Sequence, residues 1–282
     1  MPEPTVIYKE PIHTNGTATF TSLPQNGKAD IDVPVLMYHR IIDNRVAAKD
    51  NWLCVHVDVF DKQLRMLELW GYSAITFSDY YLYMQGKLIL PRKPIIITID
   101  DGYLDTYTHA LPLLKQYGMR AVVFVLGDRG LHYNKWDEHK GIPPAALMNN
   151  NQILELYREG IEIGAHSLSH PDLSCLPKEK AWKEINRSKT LLQEELGIEP
   201  IAFCYPYGGV SPLVKQLVQE SGFQFACSVF SGPAQFRKDL FEIRRITVRN
   251  KLTDLALRLM IPQKIITGLR EGIRKNKRIT EH

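Results

Sequence analysis

Asp100 and Asp101 stand side by side at the end of an apolar run, and His166 and His170 bracket the run HSLSH further along the chain. Two imidazoles and one carboxylate make the protein donor set of a catalytic zinc site that keeps positions open for water. A second carboxylate, held off the ion, can then take a proton from that water. The four residues therefore predict a hydrolase with Asp101, His166 and His170 as metal ligands and Asp100 as general base. Zinc is the expected ion. Singly, each motif has a plainer reading: Asp-Asp-Gly is ordinary turn chemistry, and two histidines on a polar loop need not bind anything. Their conjunction carries the assignment. Neighbouring residues on extended backbone point to opposite sides, which would separate the ligand Asp101 from the base Asp100. Pro171 should bias His170 toward extended backbone as well.

The elements that must position these residues alternate along the chain. Apolar runs at 35–38, 73–76, 95–99, 121–126, 161–165, 201–204, 225–229 and 243–248 read as strands. Between them, amphipathic stretches at 59–70, 107–117, 152–159, 178–196 and 212–221 read as helices, with Gly71, Gly118, Gly160 and Gly197 as stop signals. Strands that are apolar on both faces and separated by helices indicate an α/β fold with a parallel sheet. With roughly seven or eight such strands and no Gly-x-Gly-x-x-Gly turn, a closed or nearly closed, distorted β/α barrel is expected rather than a dinucleotide-binding sheet. The C-terminal strand ends of such a barrel carry its site. Asp100, His166 and the segment 205–209 each follow a strand directly, so three separate segments place polar residues on one rim.

At 282 residues and 44% hydrophobic content the chain can bury one sizeable core. Residues 1–32 mix Pro, Gly, Asn and Thr and read as an irregular arm, 33–250 as the barrel and 251–282 as a basic helical tail. Much of the net charge of +4 falls in that tail, at Lys264, Arg270, Arg274, Lys275, Lys277 and Arg278. The body is near neutral, which leaves no footprint for nucleic acid. Leu257, Ile261, Ile265, Leu269 and Ile273 recur at helical spacing, as in a helix docked on the barrel; peripheral contact with an anionic membrane is the alternative. Cys54, Cys175, Cys204 and Cys227 form no Cys-x-x-Cys pair and read as buried free thiols, which favours a reducing compartment. The start, MPEPTVIYKEPIHT, does not read as a signal peptide, and no stretch reaches the ~18 apolar residues of a membrane span. A cytoplasmic protein is expected on those grounds.

With Thr98, Ile99, Asp100, Asp101 and Gly102 followed by HSLSH, the chain resembles the polysaccharide deacetylases of carbohydrate esterase family 4, which carry the NodB homology domain. Over 33–248 it keeps that family's first motif, Thr-Phe-Asp-Asp-Gly, with Ile99 for Phe, and its second, His-Ser/Thr-x-x-His, intact. The third, Arg-x-Pro-Tyr/Phe-Gly, survives as Cys204, Tyr205, Pro206, Tyr207 and Gly208. The resemblance implies that the backbone N–H of Tyr207 meets the oxyanion. It also implies an arginine that steadies the base, but Cys204 stands in its place. Arg245, which resembles an arginine near the end of one subgroup's domain, is the candidate replacement. The usual Leu-x-His that supplies the general acid is absent, since the only histidine after His170 is the terminal His282. The run from Pro34 to His39 resembles instead the start of the poly-β-1,6-N-acetylglucosamine deacetylase subgroup, where the motif order is circularly permuted and this histidine is the acid. His39 is therefore the expected acid. His56, His109, His132 and His139 match no motif position and are expected to be structural or on the surface.

The resemblance implies a metal-dependent N-deacetylase that releases acetate from N-acetylated amino sugars in a polysaccharide, oligosaccharide or glycolipid precursor. Two alternatives keep the same barrel: an O-acetyl esterase acting on xylan or another glycan, and a catalytically silent carbohydrate binder. The intact Asp100 argues against the silent binder. Asn134, Lys135, Trp136 and Asp137 lie in an insertion that reads either as a rim loop, with a sugar ring on Trp136, or as a packed surface loop.

Overall fold

The apolar runs form strands because β-branched and aromatic residues suit a surface buried on both sides. The computed structural model describes residues 33–260. In chain order these form β1 (Val35–Tyr38), β2 (Arg40–Ile42), α1 (Arg45–Asp50), β3 (Cys54–His56), α2 (Val57–Leu69), β4 (Ser73–Ile75), α3 (Phe77–Met84) and β5 (Pro94–Ile99). There follow α4 (Leu111–Gln116), β6 (Val122–Val125), α5 (Asn150–Arg158), β7 (Glu162–Ala165), α6 (Lys178–Leu196), β8 (Ala202–Cys204), α7 (Pro212–Glu220), β9 (Phe225–Cys227), β10 (Ile246–Thr247) and α8 (Leu252–Met260).

Eight strands make one parallel sheet in the order β10-β1-β5-β6-β7-β8-β9, with β4 attached to β5. β4 and β6 divide one edge of β5, since Ile75 pairs with Ile96 and Val122 with Thr98. The segment after β9 curls the sheet toward a ring. Ile243 N donates to Ala226 O at 2.9 Å beside β9, and Val248 N to Met37 O at 3.0 Å beside β1. The run expected to be a strand over 243–248 is thus shared between two neighbours, and only Ile246–Thr247 remains strand. This is the distorted β/α barrel that the alternation predicts.

Side-chain alternation decides what each strand residue faces. Ile95, Ile97 and Ile99 join Phe60, Leu64, Leu114 and Ile185 in the core beneath the helices. Ile96, Phe124, Cys204, Phe225 and Cys227 face the interior of the barrel. That interior is filled by α3, whose Phe77 stacks on Phe225 and whose Tyr80 meets Phe236 edge-on. Sequence reading passes over α3 because its aromatic residues make no clear polar face; its start is nevertheless marked by a Thr76–Asp79 capping box. The small β2–β3 sheet and α1 are likewise too short to leave a period. The helix expected over 107–117 opens with a π turn, Thr106–Ala110, before α4. Cys54, Cys204 and Cys227 are buried, but Cys175 is exposed in a 3₁₀ turn, contrary to expectation. Leu255 of α8 is buried against the barrel. The arm 1–32 and the tail positions from Ile261 onward lie outside the described residues. No helix among the described residues is long and apolar enough to cross a membrane.

Gly127, just past β6, brings the chain into backbone contact with α6: a Cβ there would lie 2.4 Å from Ser188 Cα. Gly127→Ala is expected to lower the unfolding free energy by about 1–3 kcal/mol through overpacking. Urea unfolding checks this, and an unchanged midpoint would refute the close seating of α6.

Candidate active site

Asp100 continues the inward register of Thr98 past the end of β5, and its N–H donates to Tyr38 O at 3.0 Å. Its carboxylate meets Arg245 in a fork, with Nη1–Oδ1 and Nη2–Oδ2 both 2.7 Å. Arg245 reaches this place from the segment that closes the barrel. It also donates to Thr98 Oγ1 at 2.9 Å, to Ser228 O at 2.8 Å and toward Cys204 Sγ at 3.1 Å. Both members of the pair are buried. A short thiol at 204 leaves room for a guanidinium that arrives from the segment before β10, which gives Cys204 a physical role where the resemblance implies arginine. Burial by itself would raise the Asp100 carboxyl; the charge and hydrogen bonds of Arg245, helped by His39 and His166, outweigh it and hold the pKa below the usual value. His39, at the end of β1, places Nε2 3.8 Å from Asp100 Oδ2. That is close enough for a charge interaction and too long for a hydrogen bond.

Asp101 is not on extended backbone as expected. It sits at φ 73°, and this left-handed turn, rather than strand pleating, separates its carboxylate from that of Asp100. Gly102 follows with φ 73°, where a Cβ would press on Val125 at 3.1 Å. Asp101 Oδ1 lies 3.1 Å from His166 Nε2 and 3.4 Å from His170 Nε2. Neither contact is aligned as a hydrogen bond, so this buried oxygen has no hydrogen-bond partner. His166 Nδ1 donates to Cys204 O at 2.7 Å, a contact that holds the ring with Nε2 facing Asp101. His170 also departs from expectation, with φ 68° in place of the extended backbone that Pro171 favours. Its N–H donates to Ser167 Oγ at 3.0 Å, which holds the bend.

The ligand atoms of Asp101, His166 and His170 lie within 4.8 Å of one another. A buried carboxylate oxygen without a hydrogen bond, facing two imidazole nitrogens, fits a divalent cation. Burial disfavours charge on each group, but the two rings outweigh it at Asp101 and hold that carboxyl well below its ordinary range. At His170 burial prevails and lowers the pKa, while at His166 the nearby Cys204, Asp101 and Asp100 override burial and raise it. Asp100, His166 and Cys204 form a second close cluster. It is no ligand set, because Arg245 already occupies Asp100 and burial pushes the Cys204 thiol up to about 11.

Tyr207 lies in the 3₁₀ turn Pro206–Gly208 after β8 and also takes a left-handed φ of 57°. Its ring meets His170 edge-on at 4.7 Å, and Trp136 stacks on the same histidine at 4.6 Å. The insertion therefore lies on the rim. Lys140 donates to Tyr207 Oη at 3.2 Å and to Asp137 Oδ1 at 2.9 Å, so the insertion is tied to the turn. Trp136, Lys140, Asp172 and Tyr207 help to line a groove of about 490 Å³ beside His170. Of the remaining histidines, His56 caps α2 by accepting from Asp58 N, His109 Nδ1 is bonded to Ile41 O, and His139 lines the groove. Sequence reading does not single out Lys140, which no local pattern marks, or Glu184. The signal for Glu184 is a charged residue at helical spacing with buried Ala181, Ile185 and Ser188.

Because the folded pKa of Asp100 lies below its unfolded value, its contribution to stability is complete above pH ~4 and is lost as the pH falls through the folded value. Arg245→Met leaves a buried carboxylate without a partner and should cost about 3–5 kcal/mol at neutral pH. In the variant burial raises the pKa of Asp100, so protonation relieves the penalty. Urea unfolding between pH 7 and pH 4 should show the two proteins converging as the pH falls; a constant gap would count against the ion pair.

A sequence model described as polysaccharide deacetylase matches residues 87–226, a span that contains Asp100, Asp101, His166, His170 and Tyr207 but not His39 or Arg245. YxkH of Bacillus subtilis (strain 168) is 27% identical over 216 residues, which are 77% of this chain and 71% of that protein. Poly-beta-1,6-N-acetyl-D-glucosamine N-deacetylase of Staphylococcus aureus (strain MRSA252) is 22% identical over 179 residues, 60% of this chain and 59% of its own length. Among solved structures, the Streptococcus pyogenes deacetylase PplD in complex with acetate superposes with a TM-score of 0.70 at 25% identity, covering 83% of this chain and all of that one. The motifs, the barrel and these likenesses agree: the chain carries a polysaccharide deacetylase domain.

Proposed function

We propose that this deacetylase removes N-acetyl groups from N-acetylated amino sugars of a glycan, with a divalent ion, zinc by default, held by Asp101, His166 and His170. The observation that carries this reading is the convergence of those three groups on one point, next to a second carboxylate that Arg245 keeps occupied. When bound, the ion supplies a Lewis acid for the acetamide oxygen and for a water molecule. Asp100 accepts the proton of the attacking water. Arg245 fixes both of its oxygens and keeps it ionised; Oδ2 also accepts from the Cys204 thiol at 3.6 Å, while Oδ1 keeps a second lone pair for the proton. The N–H of Tyr207 donates to the acetamide oxygen as negative charge develops there. His39 gives a proton to the nitrogen as the C–N bond breaks, so that acetate and a free amine leave.

An acid beside the base favours amide over ester cleavage, because an amine leaves only when protonated. The Staphylococcus aureus relative, named as an N-deacetylase, supports the same choice. The groove walled by Trp136 and Tyr207 offers aromatic faces suited to pyranose rings.

Acetate release from N-acetylglucosamine oligomers and from acetylated xylan tests the reading. Release is expected from the oligomers, abolished by a chelator and restored by zinc. Asp100→Asn should lower kcat by about 10²–10⁴-fold. Retained activity in that variant would remove Asp100 as the base, and bound zinc with no release from any acetylated glycan would leave only a binding barrel.

A further inference from the structure

The loop between the two histidines is bent in a way that its own sequence does not favour. Ser167 and His170 lie at φ 62° and 68°, a conformation that costs a residue with a β-carbon about 1–3 kcal/mol. Its carbonyls are held by the end of β6, where Gly127 N donates to Ser167 O at 2.9 Å and Asp128 N to Leu168 O at 3.0 Å. Its amides are held by α6. Leu168 N and Ser169 N both donate to Glu184 Oε2, at 3.0 and 2.9 Å, and the Ser169 hydroxyl donates to Oε1 at 2.7 Å. The anchor is firm, since α6 buries Ala181, Ile185 and Leu192 and seats Ser188 against Gly127 with no room for a Cβ.

We propose that Glu184 is a positioning residue for the metal centre. It takes up two of the three amides that lie between His166 and His170, those of Leu168 and Ser169, and so holds the loop in the bend that turns the two imidazoles toward Asp101. The role rests on the metal-dependent reading above. A carboxylate suits it because an ionised acid only accepts, and two oxygens can serve three donors. Glutamine keeps one carbonyl oxygen for the two amides, whereas alanine removes every tie.

The full chain is compared as wild type, Glu184→Ala and Glu184→Gln, by amide hydrogen exchange without metal and by Zn²⁺ titration against a competing chelator. Glu184→Ala should speed exchange at Leu168 and Ser169 about tenfold or more, as expected for amides that lose their acceptor. It should weaken Zn²⁺ binding about 10–100-fold, while exchange in β5 and β7 stays slow. Glu184→Gln should keep most of the affinity. Zinc affinity and loop protection equal to wild type in Glu184→Ala would overturn the proposal, as would acceleration spread evenly over the barrel. A wild type that binds no divalent ion would sink the metal-dependent reading, and with it any role for Glu184 at a metal centre, whatever the exchange at the loop.

Discussion

The buried pair between Arg245 and Asp100 ties the closure of the barrel to the chemistry of its rim. Neither charge would be tolerated there alone, because the cost of taking an ion out of water is recovered only with close geometry and additional hydrogen bonds. Arg245 meets that condition by donating to groups on β5 and next to β9 as well as to Asp100. Those acceptors come together only when the segment after β9 has returned to lie beside β1. A ring left open at this seam would expose an unpaired Asp100 and loosen the rim together with the sheet.

The same economy of position explains how two adjacent carboxylates acquire different surroundings. Asp100 faces a guanidinium and Asp101 faces imidazoles, and a single left-handed residue turns one away from the other. The non-glycine residues at positive φ among those described are Asp101, Ser167, His170 and Tyr207, and every one of them is at the site. Strain of this kind persists only where the surroundings over-determine the backbone. Here the surroundings are the Cys204 carbonyl on His166, the ring of Trp136 on His170, and the Lys140 contact on Tyr207. The rim is therefore rigid for the reason that makes it costly.

What was legible in the chain was what local periodicity encodes. The β-branched run of β5 and the amphipathic course of α6, ended by Gly197 in the left-handed region, are both where patterning places them. The motif residues fall on one rim because their strands are parallel, which repeated strand and helix units already require. The bent backbone at Asp101 and His170 was not legible, because tertiary ties set it; at His170 they override the local preference for extended geometry before Pro171. Nor was α3, whose buried Phe77, Tyr80 and Tyr81 and half-buried Leu82, Tyr83 and Met84 leave it without the polar face that marks a surface helix. The partners of Arg245 lie far away in sequence, and no window on the chain contains them.

The ring also explains why residues from both ends of the described chain can serve a site whose family match spans only 87–226. β10 and β1 are neighbouring parallel strands, with Leu36 opposite Ile246 and Met37 opposite Thr247, and β1 in turn lies beside β5. His39 leaves the end of β1 and Arg245 precedes β10, so both arrive next to the end of β5, where Asp100 stands. In a curled parallel sheet a rim position is set by its strand neighbours and not by its order along the chain. A side chain supplied by β1 can therefore stand beside one supplied by a segment about two hundred residues later. An imidazole from the end of β1 and a guanidinium from the segment before β10 thus both reach Asp100, and the seam between β10 and β1 brings them there without a histidine near the end of the barrel.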